Sequence, residues 1–91
     1  MKRTLRNYYF TYGTDYNYPY QSGWTRILAP TRPCAIALFR AYHPDIFLDT
    51  INCAGIYDEE EFKDTSMYKH GNFGAKENEA IVVGHFYIAP F

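Results

Sequence analysis

One segment of this chain has both of its ends marked by proline. Pro30 and Pro44 bracket residues 31–43, and the residue before a proline is pushed out of the helical region, so a helix between them stops near His43. At its start Thr31 offers an N-cap hydroxyl, and Pro33 is tolerated in the first turn because its missing N–H has no intrahelical partner there. Within these bounds Ala35, Leu38, Phe39 and Tyr42 recur at i, i+3, i+4 and i+7. That stripe can lie on a sheet while Arg32 and Arg40 project away from its centre.

The flanking segments supply the sheet. Asn7 to Tyr12 alternates, with Tyr8, Phe10 and Tyr12 on one face and Asn7, Tyr9 and Thr11 on the other, in residue types that favour the pleated state. Gly13 to Gly23 (GTDYNYPYQSG) is turn chemistry, and Trp24 to Ala29 resumes a strand-like run. The pair is predicted to be a hairpin whose loop of about eleven residues exceeds the usual 2–5, and such loops are more often functional than short ones. Residues 50–57 (TINCAGIY) are predicted as a third strand, and Asp58 caps a short acidic helix, DEEEFKDT, with Phe62 as its one strong anchor. A Gly- and Asn-bearing loop over residues 67–76 leads to a last strand, Glu79 to Ile88. Its apolar residues occupy both faces: Ala80, Val82, Phe86 and Ile88 against Ile81, Val83 and Tyr87. A strand of that kind is central or meets a partner. The expected fold is a single α+β domain over residues 1–91, a small mostly antiparallel sheet in the order ββαβ(α)β with one helix packed on one face.

Ninety-one residues leave no room for a second core. Nine basic and ten acidic side chains give a formal charge of -1, too little field to concentrate a polyanion or adhere to anionic lipid, so generic nucleic-acid coating is not expected. The charge is uneven along the chain: Lys2, Arg3 and Arg6 begin it, and Asp58 to Glu61 form an acidic run. The longest apolar run, Cys34 to Phe39, falls far short of the ~20 residues that span a bilayer, and polar residues from Asn7 onward interrupt any export signal. Cys34 and Cys53 are expected as packing thiols in a reducing compartment, which suits a cytoplasmic protein.

The chemistry-bearing residues resist assembly into a known catalytic motif. Either cysteine can in principle meet His43, His70 or His85 as a nucleophile pair, but both sit in apolar patterns that favour packing. The two Cys and three His never occur in the close pairs that structural zinc sites use, so no metal and no cofactor are expected. Asp58 to Glu61 fan around a helix start and do not converge on one point, which leaves an acidic surface for a basic partner as their other use. In YKHGNFG, residues 68–74, Gly71 and Gly74 with Lys69 and His70 either form a plain turn or contact an anion.

The most informative feature is ring density. Tyrosine occurs ten times, and Tyr12, Tyr16, Tyr18 and Tyr20 are followed at once by Trp24 and Arg26. Such rings stack on a nucleobase while an arginine engages phosphate, form the aromatic centre of a protein interface, or fold back as a lid over the sheet edge. The candidate ligand- or partner-binding residues are therefore Tyr12, Tyr16, Tyr18, Tyr20, Trp24, Arg26, Arg40, Lys69 and His70.

The stretch NYYFTYG, a turn-rich gap, then GWTR, INCAGIYDEEEF and MYKHGNFG resembles small proteins carried by phages and mobile elements of Gram-positive bacteria. The resemblance covers most of residues 7–76, leaves Ile81 to Phe91 outside, and transfers no catalytic residues. It implies a genomic setting in which small proteins act on host machinery, a matter of context rather than chemistry. The expectation is a non-enzymatic accessory protein in the bacterial host cytoplasm that binds and modulates a host protein, in the manner of an anti-defence inhibitor. The alternative is a sponge that sequesters a linear or cyclic nucleotide signal. Self-association as a homodimer through the Ile81 to Ile88 strand is a separate expectation.

Overall fold

A computed structural model describes residues 5–13, 15–65, 68–69 and 77–82, together with the backbone of 85–88. Lys2, Arg3, His70, Gly71 and Gly74 lie outside the described residues, so the basic start and most of the YKHGNFG segment do too. The chain runs β1 (Arg6–Thr11), β2 (Trp24–Ala29), α1 (Arg32–Tyr42), β3 (Gly55–Asp58), α2 (Glu59–Lys63), β4 (Glu77–Val82) and β5 (His85–Ile88). The strands form one five-stranded sheet in the order β3-β1-β2-β4-β5. Three of its ladders are antiparallel and one, β2 with β4, is parallel, which makes an α+β fold with a mostly antiparallel sheet. No helix among the described residues is long and apolar enough to cross a membrane.

The helix signals act as read. Thr31 sits at φ -143°, ψ 161° and accepts a hydrogen bond from the Cys34 N–H, and the His43 N–H caps the far end on the Phe39 carbonyl. Asp58 and Glu61 form a reciprocal capping box at the start of α2, two orphan donors satisfied at once. The expected stripe of α1 holds for Ala35, Leu38 and Phe39, which face the core, and fails at Tyr42. Ala35 and Phe39 are buried while Tyr42 is exposed, because the chain leaves helical geometry at His43 (φ -131°, ψ 80°) and this residue turns under the sheet in place of Tyr42.

Two expected strands differ from those observed. The segment 50–57 is strand only from Gly55, since β1 ends at Thr11 opposite Gly55 and offers residues before it no ladder; only the Ala54 N–H reaches the Thr11 carbonyl, at 2.6 Å. The run Glu79 to Ile88 is not one strand but β4 and β5, paired antiparallel from Glu79 with Ile88 to Val82 with His85. Its β2 neighbour ends at Ala29, one residue beyond the Leu28 and Val82 pair. A straight continuation would leave backbone groups without partners, and folding back supplies them. Of the apolar residues behind the two-sided pattern, Ala80, Ile81 and Val82 belong to β4, an interior strand, and Phe86, Tyr87 and Ile88 to β5, an edge strand.

One sheet face presents Tyr8, Phe10, Tyr12, Ile27, Ala29 and Ile81 to α1. Phe39 stacks on Phe10 with ring centroids 4.6 Å apart and planes 5° apart. Across the other face α2 lays Phe62 on Tyr9, stacked at 4.0 Å, with Trp24 edge-on at 4.8 Å. Phe62 is therefore the anchor that its sequence position suggests, and its burial is worth roughly 1.5–3 kcal/mol by transfer.

Candidate functional site

Glu79 occupies the centre of the α1 face at the level of Thr25, its neighbour across the parallel ladder, and is 1% exposed. A carboxylate so placed must be hydrogen-bonded to persist. One of its oxygens accepts from the Thr25 hydroxyl at 2.8 Å and from His43 Nε2; the other accepts from the Tyr20 hydroxyl at 3.3 Å. Because Thr25 donates to Glu79, its oxygen is left to accept from the buried Tyr12 hydroxyl. Burial first, and then the nearby Glu79 charge, push the Tyr20 phenol above its usual range; burial does the same to Tyr12. Both phenols are thus held as neutral donors. With both carboxylate oxygens satisfied by protein donors, this network ties β1, β2, β4, the end of α1 and the Tyr20 loop together.

The ring-rich loop therefore divides. Tyr12 is fully buried, and Tyr18 and Tyr20 pack against the core from its margin. Only Tyr16, 90% exposed, faces outward. Trp24 and Arg26 lie on the opposite sheet face, where Arg26 Nε meets Glu77 at 2.6 Å and its guanidinium reaches Asn7 at 3.1 Å. Arg40, on α1, pairs with Asp45 at 3.1 Å. Lys69 is exposed, its N–H bonded to the Thr65 carbonyl at 3.1 Å, and His70 lies outside the described residues. Of this set, Trp24 and Arg26 share one sheet face, Trp24 edge-on to Phe62 and Arg26 bonded to Glu77 and Asn7, whereas Tyr12, Tyr18 and Tyr20 pack with the core on the other.

Other candidates are engaged by neighbours as well. Glu61 bonds Arg32 at 2.6 Å, and Asn7 donates to Glu59 at 3.1 Å. The Asp58 backbone N–H, more than Arg32, holds the Glu61 carboxyl below the usual range. Cys34 and Cys53 are free, and burial pushes the Cys53 thiol up to about 12. Among the described residues no three His, Cys, Asp or Glu side chains gather as a metal site.

What the fold does expose is a pair of adjoining loops. The first, between β1 and β2, is closed on itself by the Ser22 N–H to Gly13 carbonyl bond and by an Asp15 carboxylate that accepts from the Asn17 N–H at 2.9 Å. Gly13 and Ser22 both take positive φ to make that closure. The second follows α1. There the Thr50 N–H bonds the Phe47 carbonyl at 3.1 Å, a β-turn with Leu48 and Asp49 at its corners and Asp49 at φ 60°. The turn lifts Ile46 (55% exposed), Phe47 (60%) and Leu48 (91%) into solvent. Between the loops a cleft of about 160 Å³ opens, lined by Asp15, Tyr18, Ile46, Phe47 and Ile51 among others.

No family model, no curated protein and no solved structure matches this chain. The candidate site accordingly rests on its own geometry. Three consecutive apolar residues held exposed on a turn are unfavourable unless they serve a contact. Sequence reasoning passed over this knuckle, although the run Ile46-Phe47-Leu48 between Asp45 and Asp49, with neither strand nor helix period around it, was visible. The Ile81 to Ile88 segment expected to mediate self-association has its first part, β4, flanked by strands on both sides; β5 is the open edge.

Proposed function

We propose that this protein is a non-enzymatic binding protein that docks a partner protein through the Ile46-Phe47-Leu48 knuckle and the adjoining Tyr16 loop. In the phage or mobile-element setting that its sequence suggests, the partner is a host protein whose activity is blocked or redirected. The observation that carries this reading is the exposure of three successive large apolar side chains on a turn whose backbone is already fixed. A surface ordered before contact loses less conformational freedom on binding, and a few well-packed anchor side chains near the centre of an interface supply most of its energy. The near-neutral net charge agrees with specific contact rather than general adhesion to polyanions.

The test compares capture from a bacterial host lysate by the wild-type protein with capture by Leu48→Glu and Phe47→Ser variants of unchanged circular dichroism. A partner retained by the wild type and lost by both variants is the expected result. Equal capture by all three, or none above a bare-resin control, would refute the assignment.

A further inference from the structure

The cleft beside the knuckle carries information about the partner that the knuckle alone does not. Its volume, about 160 Å³, is close to the ~150 Å³ of an apolar cavity that accepts a benzene ring, so it accommodates one medium-sized apolar side chain. Its lining combines Tyr18, Ile46, Phe47 and Ile51 with the uncharged Asn17, Thr50 and Asn52 and with one carboxylate, Asp15. Residues 12–23 and 43–54, the two loops that form it, contain three carboxylates, Asp15, Asp45 and Asp49, and no lysine or arginine. Asp45 is neutralised by Arg40. Asp15 and Asp49 have no ion pair among the described residues, although the Asp15 carboxylate makes its local bond to the Asn17 N–H. A partly apolar slot with Asp15 in its lining, and with Asp49 next in the chain to the lining residue Thr50, is complementary to an apolar side chain with positive ones beside it.

We infer that the cleft between the Asp15 and Asp49 loops receives a basic amphipathic segment of the partner protein, one apolar side chain entering the slot and neighbouring lysines or arginines meeting Asp15 and Asp49. This inference rests on the proposed docking function and adds the chemistry of the bound segment. Like-signed partners are disfavoured by the same charges, so the two aspartates act as specificity determinants and contribute to the rate of encounter.

Both aspartates can lose their charge without losing their local structural role. Asparagine keeps the oxygen that accepts from the Asn17 N–H, and asparagine tolerates the positive φ at position 49. The experiment titrates the full chain against three fluorescein-labelled synthetic 12-residue peptides with the same leucine positions, the remaining positions being lysine and arginine, glutamine, or glutamate, and follows anisotropy at low and moderate salt. The wild type is expected to bind the basic peptide saturably, more weakly as salt rises, and to prefer it to the neutral one. The Asp15→Asn/Asp49→Asn double variant is expected to lose about fivefold in affinity for the basic peptide, in line with two partly solvated ion pairs, whereas Glu60→Gln, a carboxylate on α2 outside the two loops, is expected to lose nothing. Equal binding of basic and neutral peptides would overturn the inference, as would an equal loss in Glu60→Gln and the double variant, or no binding of the basic peptide at all. These failures are separable from failure of the docking function, because knuckle-dependent capture from lysate can succeed while the basic preference is absent.

Discussion

Replacing Glu79 with glutamine perturbs the buried carboxylate on β4 on which Thr25 of β2, His43 at the end of α1 and Tyr20 of the loop all converge. The side chain is 1% exposed, so its carboxylate charge is compensated almost entirely by Thr25, His43 and Tyr20. The amide keeps one acceptor and nearly the same volume but loses the charge that faces His43. Hydrogen bonds to charged groups contribute about 1.5–3 kcal/mol each, and the amide retains part of that, so we predict a loss of ~2 kcal/mol for Glu79→Gln. For Glu79→Ala, which also strands the donors and leaves a cavity, the loss should reach about 3–5 kcal/mol. A 91-residue domain has ~5–14 kcal/mol in all, so the alanine substitution removes a large share of it. Each kcal/mol moves the midpoint by roughly 4–8 °C at this size, which puts the expected fall for glutamine at about 8–16 °C in a calorimetric scan. Urea unfolding of His43→Gln and of the double variant completes a cycle, whose coupling should be ~1 kcal/mol or more. A glutamine variant within about 0.5 kcal/mol of wild type, the range of ordinary surface substitutions, would show that the network is not the organising contact described here.

Three further outcomes are expected. Asp49 holds φ 60° without the freedom of glycine, so Asp49→Gly should raise the urea midpoint by a gain of about 1 kcal/mol; a loss would contradict the strain assigned to this turn. The buried Cys53 thiol, pushed up to about 12, should resist iodoacetamide in the native protein at pH 8 and react in urea, with mass spectrometry recording at most one native adduct, on the half-buried Cys34; rapid double labelling would contradict its burial. Glu61 has a folded-state pKa below its unfolded one, so its stabilising contribution is present above the unfolded value and fades as pH falls through the folded one. Glu61→Gln, which preserves the capping box, should therefore lessen the loss of stability between neutral and strongly acid pH, and an unchanged acid limb in pH-dependent urea unfolding would argue against that linkage.

Elements whose signals are local were legible in the sequence. The α1 boundaries follow from Thr31, Pro33 and Pro44, the α2 start from Asp58, and the inward face of β1 from strict alternation, because each depends on backbone sterics and hydrogen bonds within four residues. The last strand was misjudged for a related reason. Alternation registers apolar faces but not the point at which the neighbouring strand ends, and that point, at Ala29, decides where β4 gives way to β5.

The candidate site was the least legible part. Tyr12 and Tyr16 are the same residue type four positions apart, yet one is fully buried and the other 90% exposed. Their difference comes from Thr25 and from Phe39, whose ring lies 6.3 Å from that of Tyr12, neither of which has a counterpart over Tyr16 among the described residues. Composition and periodicity determined that this chain builds a ring-rich sheet under one helix, and tertiary structure decided which rings the core absorbs and which apolar residues remain outside. The bonds that settle it, Thr25 to Glu79, His43 to Glu79 and Tyr20 to Glu79, join residues 54, 36 and 59 positions apart. Burial is a property of what arrives from a distance to displace water, and a local pattern carries no record of it.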